Sequence, residues 1–283
     1  MQFTTPVTIA PSPWQIEPCE RMLFVGSCFA DNIGRRFKEE KFRAIVNPFG
    51  VMYNPVSVLH TVRRLSDAGQ LPFCKDKPGT AVFTLGTNHV YRLIATGEIV
   101  DNCQKRPQKL FHEEQLTVEQ CAAALSEAIM LIRSSFPKTR FLLTVSPIRY
   151  RKYGYHGSQL SKATLLLAVD QVVKAFDDPT IAYFPSYEIV NDELRDYRFY
   201  QEDMLHPSEQ AVSYIYERLS EAFFSPATLH FLEQWHPIRK ALEHRPFNPQ
   251  SAEYQQFLRK AKEDYKVLKD KYHFEECFPL STE

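Results

Sequence analysis

The sequence predicts a three-layer α/β/α fold with a mainly parallel five-stranded sheet, followed by a C-terminal helical extension. Five short apolar segments rich in β-forming residues are separated by longer segments that have the 3.6-residue periodicity of helices. Strands that alternate with helices indicate βαβ units and therefore parallel pairing. The segment at 141–145 is almost entirely apolar, as expected of a strand buried on both faces.

Each element follows from its own local pattern. The five strands are expected at 22–25, 42–46, 81–85, 141–145 and 181–184. The helices between and after them are expected at 32–40, 56–66, 118–135, 159–176 and 208–224. One insertion interrupts the alternation. Residues 90–94 and 99–100 flank a turn that contains Gly97, and they predict a β-hairpin after the third strand.

The pattern changes at about residue 226. Two apolar stripes with helical spacing follow, and Pro246 and Pro249 separate them. We therefore expect one core domain over residues 1–225 and a helical extension over residues 226–283 that packs on it. An arm that binds a partner is the alternative interpretation of these helices.

The composition is that of an ordinary globular protein. The 283 residues are 44% hydrophobic and 24% charged, and 34 Lys and Arg balance 34 Asp and Glu. Without a basic excess the chain has no electrostatic signature of nucleic-acid binding. The first residues resemble no signal peptide, and no apolar run approaches the roughly 18 residues of a membrane span. Six scattered cysteines without a CxxC pair indicate reduced thiols, so we expect a cytoplasmic protein.

The junction between the first strand and the first helix is the strongest candidate for a chemical site. Gly26 and Ser27 place a hydroxyl at the carboxyl end of a strand, where α/β hydrolases hold a nucleophile. The alternative is that Ser27 only caps the helix. Cys28 is a rival nucleophile, because a thiol at a helix N-terminus can have a lowered pKa, or else a buried structural residue.

A second candidate lies after the fifth strand, where Asp203 and His206 precede a helix. The carboxylate can orient the imidazole and stabilise its charged form, which is the role of the acid in a catalytic triad. Pro207 suits the first turn of the helix that would hold both residues. Asp203 could instead be a simple cap. His156 is the rival base, although no acidic residue is close to it in sequence.

Polar residues after the other strands complete the candidate site. Gly50, in a turn bracketed by two Asn-Pro pairs, and the amide of Asn88 are candidate donors to an oxyanion, and Thr87 competes for this role. Three basic residues follow the fourth strand, and each is either a group that binds a polar or anionic substrate or a surface residue: Arg149, His156 and Lys162. We find no metal-ligand spacing and no phosphate or dinucleotide loop, so no cofactor is expected.

Several ordered blocks between residues 20 and 225 resemble the GSCFA domain family. They are Gly26 to Ala30, 47–50, 84–87 with 90–91, 146–149, 161–163, 183–188 and 203–208. That family is in turn similar to the SGNH, or GDSL-like, hydrolases, which are flavodoxin-like domains that cleave esters, often acyl groups on lipids or sugars. The resemblance implies Ser27 as nucleophile, Asp203 and His206 as its triad partners, and Gly50 and Asn88 as oxyanion donors. Two positions depart from the pattern: His89 replaces an aspartate, and the first block reads Gly-Ser-Cys rather than Gly-Asp-Ser.

Together these observations predict a serine-dependent hydrolase or transferase that acts on a small acyl ester, such as an acylated carbohydrate or lipid. Two other hypotheses stay open. The chain could be a non-catalytic protein that binds a carbohydrate or acyl ligand, or Cys28 could be the nucleophile. The sequence does not define the oligomeric state.

Overall fold

The computed structural model describes residues 4–101, 103 and 106–274. Its strands, in chain order, are β1 (Arg21–Gly26), β2 (Arg43–Val46), β3 (Gly79–Leu85), β4 (His89–Leu93), β5 (Ile99–Val100), β6 (Phe111–Gln115), β7 (Thr139–Val145) and β8 (Ile181–Tyr183). The principal helices are α1 (Cys28–Glu39), α2 (Pro55–Asp67), α3 (Val118–Ser135), α4 (Gly154–Phe176), α5 (Ser186–Glu188), α6 (Glu209–Phe223), α7 (Pro226–Glu243) and α8 (Ala252–Tyr272).

The main sheet has five parallel strands in the order β2-β1-β3-β7-β8. This confirms the predicted fold and the flavodoxin-like strand order. The order reverses between β1 and β3, so the carboxyl ends of these strands form the edge at which such sheets hold ligands. The β1–α1 junction lies at this edge.

Two hydrophobic layers cover the sheet, and each central strand contributes side chains to both layers. In β1, Leu23 and Val25 pack with α2, α3 and α4, whereas Met22 and Phe24 pack with α1, α6 and α7. Side chains of a strand alternate between its two faces, so a strand between two apolar layers must be apolar throughout. This is why the central strands lack the alternation seen in half-exposed strands.

The insertion after β3 is larger than the sequence indicated. The predicted hairpin is confirmed by the antiparallel pairing of β4 with β5, but β6 also pairs with β4, from His89 opposite Gln115 to Leu93 opposite Phe111. Sequence reasoning missed β6 because only Phe111 in it is buried and the following residues are polar. The helix expected at 159–176 also begins earlier, at Gly154, where the chain has a positive φ of 67°.

The helices after residue 225 pack on the sheet side that carries α1. Phe231 and Trp235 of α7 are buried in the same cluster as Phe24 and Phe37, and the Trp235 indole donates to Glu39 O at 3.0 Å. α8 packs against α7 through Leu268 and Tyr265. Within the described residues, no helix has the combination of length and apolar character that crossing a bilayer requires.

Candidate active site

The β1–α1 junction is held against β3 by its backbone. Gly26 has a φ of +152°, and a Cβ at this position would lie 2.1 Å from Thr84 O, so only glycine fits. The Ser27 N–H donates to Thr84 O at 3.0 Å and to Thr84 Oγ1 at 3.1 Å. Asn47 secures the other side, because its Oδ1 accepts from Gly26 N at 2.9 Å and its Nδ2 donates to Asp31 at 2.6 Å.

Ser27 has the environment of a helix cap. Its Oγ accepts from Phe29 N at 3.3 Å and lies 3.3 Å from Thr84 Oγ1, and the residue is 0% exposed. Its backbone is extended, as is usual at an N-cap. Ser27 therefore sits at the predicted edge of the sheet, but its hydroxyl is engaged by the protein and closed to solvent.

Cys28 is the first residue of α1 and is partly exposed. Its Sγ lies 3.9 Å from Tyr53 Oη, and the Tyr53 side chain is 40% exposed. Burial raises the pKa of the Cys28 thiol, and the hydrogen bond with Tyr53 only partly offsets this effect. The lowered pKa expected for a thiol at a helix N-terminus is thus not what this environment produces, and the group rests as a thiol.

Asp203 and His206 form a hydrogen-bonded pair. His206 Nδ1 lies 2.5 Å from Asp203 Oδ2, and Asp203 Oδ1 accepts from the backbone N–H groups of Leu205 (2.8 Å) and His206 (3.0 Å). These two backbone donors, followed by the imidazole, lower the pKa of Asp203 to about 2. The carboxylate is therefore ionised at neutral pH, and the bond through Nδ1 leaves Nε2 as the nitrogen that can take a proton from a nucleophile.

Three contacts position the loop that carries this pair. Arg149 N donates to Leu205 O at 3.1 Å, and the Arg149 guanidinium donates to Met204 O at 3.0 Å. Just beyond the loop, Glu209 in the first turn of α6 forms an ion pair with Arg35 of α1 at 2.8 Å. The loop thus lies between the exit of β7 and helix α1.

In the part of the chain that the structure describes, His206 makes no hydrogen bond to Ser27 or Cys28. Hydrogen bonds between a base and a nucleophile often tighten only when substrate binds.

The predicted oxyanion donors have other partners. The Gly50 N–H donates to Asn47 O at 2.9 Å within an exposed turn. Asn88 is buried, and its amide donates to Leu116 O at 2.8 Å. The Thr87 hydroxyl lies 3.0 Å from Ser161 Oγ and accepts from His89 N. These groups are therefore already engaged within the protein.

The predicted substrate-binding residues lie in different places in the structure. Arg149 stacks over the ring of Tyr155, with its guanidinium carbon 4.3 Å from the ring centre, and lines a cavity of about 270 Å³ beside the Asp–His loop. Tyr197, Tyr200 and Arg195 line the same cavity. His156, by contrast, lies exposed in the first turn of α4.

Lys162 is neither a surface residue nor open to substrate, which corrects the expectation from sequence. It is 2% exposed, and its Nζ donates to Gly86 O at 2.6 Å and to Ser146 O at 2.7 Å. Burial lowers the pKa of Lys162 to about 7. The ammonium thus links the ends of β3 and β7 beneath the candidate site.

Two tyrosines near Cys28 were missed from the sequence. Tyr53 follows β2 and Tyr150 follows β7, and their rings meet edge to face with centres 6.2 Å apart. The Tyr150 hydroxyl oxygen is buried and has no hydrogen-bond partner within the described residues. Burial raises the pKa of Tyr150 well above its usual value, with further contributions from Tyr53 and Cys28. Their position in the sequence could have indicated them, because both follow strands whose carboxyl ends lie at the same edge of the main sheet.

A second histidine–carboxylate pair lies on the inserted sheet. His89 Nδ1 is 3.2 Å from Glu113 Oε1, and the His89 ring stacks on Tyr153 with centres 3.6 Å apart. His89 is buried, which lowers its pKa despite the opposing effect of Glu113. Glu113 is shared with Lys152 at 2.7 Å, so this pair is part of a local ion-pair network of the insertion.

The fold and the Asp–His pair define an α/β protein with a candidate site near the carboxyl edge of its sheet. The model of the GSCFA family matches residues 21–76 and 74–219, and that of the GSCFA domain protein, C-terminal domain, matches residues 235–277. The chain therefore belongs to the GSCFA family. No curated protein matches the sequence.

Solved structures of three esterases and lipases are similar to this chain at low sequence identity. A GDSL-like lipase from Bacteroides thetaiotaomicron is 15% identical, with 72% of this chain and 87% of that chain covered and a TM-score of 0.45. An acetylxylan esterase from Geobacillus stearothermophilus is 12% identical, with 75% and 97% covered and a TM-score of 0.45. A carbohydrate esterase of family 3 from Talaromyces cellulolyticus is 9% identical, with 75% and 98% covered and a TM-score of 0.40.

Proposed function

We propose that this protein is an acyl ester hydrolase or acyl transferase of the SGNH type that acts on a small acyl ester. The observation that carries the proposal is the Asp203–His206 pair, in which an ionised carboxylate held by two backbone N–H groups orients an imidazole. The sequence resemblance of the GSCFA family to SGNH hydrolases supports the same class of reaction.

In the proposed reaction, His206 Nε2 accepts the proton of a nucleophile at the β1–α1 junction. Asp203 keeps the ring oriented and stabilises the imidazolium that forms. The nucleophile attacks the ester carbonyl, and the positive N-terminal end of the α1 dipole stabilises the negative charge on its oxygen. The imidazolium then protonates the leaving alcohol. Water, or an acceptor alcohol, releases the acyl group in a second step with His206 again as base.

The alcohol part of the substrate is proposed to lie in the cavity beside the Asp–His loop. Arg149 and Arg195 offer guanidinium groups there, and Tyr197 and Tyr200 offer aromatic surface with hydroxyls. Such a lining suits a polar alcohol, for example a sugar or a lipid headgroup, better than a purely apolar one. A charged or hydroxyl-rich leaving group should therefore be preferred over a simple alkyl alcohol.

The test is hydrolysis of short-chain aryl esters and acetylated sugars by the wild type and by His206→Ala and Asp203→Asn. Loss of a general base typically costs about 10²–10⁴ in rate, so we expect kcat to fall by that order in His206→Ala. His230→Ala, which removes an exposed histidine on α7, is the matched control and should keep wild-type activity.

Equal rates for wild type and His206→Ala would contradict the proposal. So would loss of activity in His156→Ala with full activity in His206→Ala, since this would make His156 the base. Binding of acetylated sugars without any cleavage would instead support the alternative of a non-catalytic binding protein.

A further inference from the structure

We propose that Cys28, rather than Ser27, is the nucleophile of this reaction, so that the acyl group is carried as a thioester. The inference rests on the proposed function and names the residue at the β1–α1 junction that attacks the ester. Four observations carry it: the environment of Ser27, the position of Cys28, the placement of the base, and an unpartnered hydroxyl on a tyrosine that contacts Tyr53.

Ser27 is unsuited to attack because its hydroxyl already has a structural role. The side chain is 0% exposed, and its Oγ receives the Phe29 N–H and contacts Thr84 Oγ1. Turning this oxygen toward a substrate would leave Phe29 N unpaired at the start of α1, and loss of an N-cap costs about 1 kcal/mol. The backbone of Ser27 is also fixed to Thr84 by two hydrogen bonds, so the residue cannot move outward by itself.

Cys28 is one residue further along and faces a different environment. It is partly exposed, and its thiol touches Tyr53, whose ring is itself open to solvent. As the first residue of α1, it lies at the N-terminal end of the helix, where the helix dipole favours negative charge on an attacking sulfur.

The loop that carries the proposed base, His206, lies near helix α1. Glu209, three residues after His206, pairs with Arg35, and Ser213 of α6 accepts from Arg36. The start of α6 therefore lies alongside α1, and the Asp–His loop precedes it toward the sheet edge. Burial keeps Cys28 as a thiol at rest, so attack needs a base, and we assign this role to His206, whose ring Asp203 orients.

The fourth observation is the hydroxyl of Tyr150, which is packed against Gly86 at the end of β3. The Tyr150 hydroxyl is buried without a partner in the described residues, although a buried hydroxyl normally finds one. Its ring contacts Tyr53, the residue that touches Cys28 Sγ. We assign this hydroxyl to the carbonyl oxygen of the bound ester.

The chemical steps balance without any further reagent. His206 Nε2 takes the Cys28 proton as the sulfur forms a bond to the carbonyl carbon. The tetrahedral intermediate then breaks its carbon–oxygen bond, and the imidazolium proton passes to the leaving alcohol. In the second step His206 takes a proton from water, the new oxygen bonds to the acyl carbon, the carbon–sulfur bond breaks, and the proton returns to the sulfur.

The experiment compares acylation by 4-nitrophenyl acetate in the wild type, Ser27→Ala, Cys28→Ala and Cys28→Ser, with Cys74→Ala as the matched cysteine control. Cys74 is also partly exposed but lies in the loop before β3. Acid-quenched protein is analysed by intact mass and peptide mapping, with and without hydroxylamine at neutral pH, which removes thioesters and leaves oxyesters. Steady-state turnover and thermal unfolding are measured on the same samples.

We expect an acetyl group that hydroxylamine removes on Cys28 in the wild type, Ser27→Ala and Cys74→Ala. Cys28→Ala should lose the adduct and at least 100-fold in turnover while remaining folded. Any adduct at position 28 in Cys28→Ser should resist hydroxylamine. Ser27→Ala should unfold at a lower temperature and retain thioester formation.

Two results would overturn the inference, and they differ from failure of the proposed function. An acetyl group on Ser27 that resists hydroxylamine, or full turnover in Cys28→Ala, would assign the nucleophile elsewhere while leaving an acyl-transfer enzyme. Absence of both turnover and adduct in the wild type, with every ester tested, would overturn the proposed function itself and the inference with it.

Discussion

At the β1–α1 junction, two neighbouring side chains have different environments. Ser27 is closed to solvent and caps the helix, whereas Cys28 is partly exposed at the first helical position. The sequence suggested both residues as nucleophiles and also suggested capping for Ser27, but it could not decide between them. The enclosed environment of Ser27 depends on Thr84, a residue of another strand whose carbonyl and hydroxyl accept hydrogen bonds from the Ser27 N–H.

Lys162 gives a pH-dependent contribution to stability that can be measured. Its pKa is lowered to about 7 in the folded protein, whereas an unfolded lysine keeps its proton up to about pH 10. Between these values the unfolded chain binds more protons than the folded one, so the free energy of unfolding rises with pH. The rise is limited to about 1.4 kcal/mol per pH unit for one proton.

We therefore expect the unfolding free energy of the wild type, measured relative to Lys162→Met, to increase from pH 7 to pH 10. Urea denaturation at several pH values provides the measurement. Lys174→Met changes an exposed lysine of the same helix and should give a difference with little pH dependence. A constant difference for Lys162→Met over this range would show that Lys162 stays charged in the fold.

Among the elements, the strand ends were easier to predict than the loops that follow them. Hydrophobic segments located β1, β3 and β7 to within about two residues, because burial on both faces demands apolar side chains throughout. The loops after β2 and β3 hold Gly50, Asn88 and Thr87, whose polar groups we expected from the sequence to face a substrate. In the structure they bond to Asn47, Leu116 and Ser161, and such partners depend on tertiary packing.

The ends of β3 and β7 meet through Gly86 and Tyr150. A Cβ at Gly86 would lie 2.2 Å from Tyr150 Oη, so Gly86→Ala should push this tyrosine out of place. Overpacking of this kind typically costs about 1–3 kcal/mol in stability. We expect Gly86→Ala to lower both the unfolding temperature and kcat.

Tyr150→Phe separates the effect of this tyrosine on stability from its effect on kcat. It removes a buried hydroxyl that has no partner, so the unfolding temperature should stay the same or rise. If that hydroxyl holds the ester carbonyl, kcat should still fall, by about 10²–10³ for an oxyanion donor. Thermal unfolding and ester hydrolysis of both variants test this, and unchanged kcat in Tyr150→Phe would remove Tyr150 from the site.

At the scale of the whole molecule, the alternation of strands and helices predicted the parallel sheet and its two helical layers. It did not predict β6, which is polar and pairs only within the insertion. The C-terminal helices were expected to pack on the core, and Phe231 and Trp235 lie in the cluster that also supports α1. The division into residues 1–225 and 226–283 stays a proposal about domains, because α7 shares its hydrophobic core with the sheet.

The proposed site brings together three distant parts of the chain: the β1–α1 junction, the exit of β7 and the loop before α6. Arg149 connects the last two through its bonds to Leu205 and Met204, and Arg35 connects α1 to α6. In the proposed reaction, His206 and the junction must therefore act on one substrate. Separate sites would leave the Asp203–His206 pair without a nucleophile.

The most direct test of this claim is the burst of 4-nitrophenol on mixing excess 4-nitrophenyl acetate with wild type or His206→Ala, followed by peptide mapping of the quenched protein. We predict a burst close to one equivalent in the wild type, with the acetyl group on the peptide that contains residues 27 and 28. In His206→Ala both the burst rate and the adduct should fall by about 10²-fold or more, as expected on loss of a general base. An equal burst in the two proteins, or an acetyl group on another segment, would contradict the account.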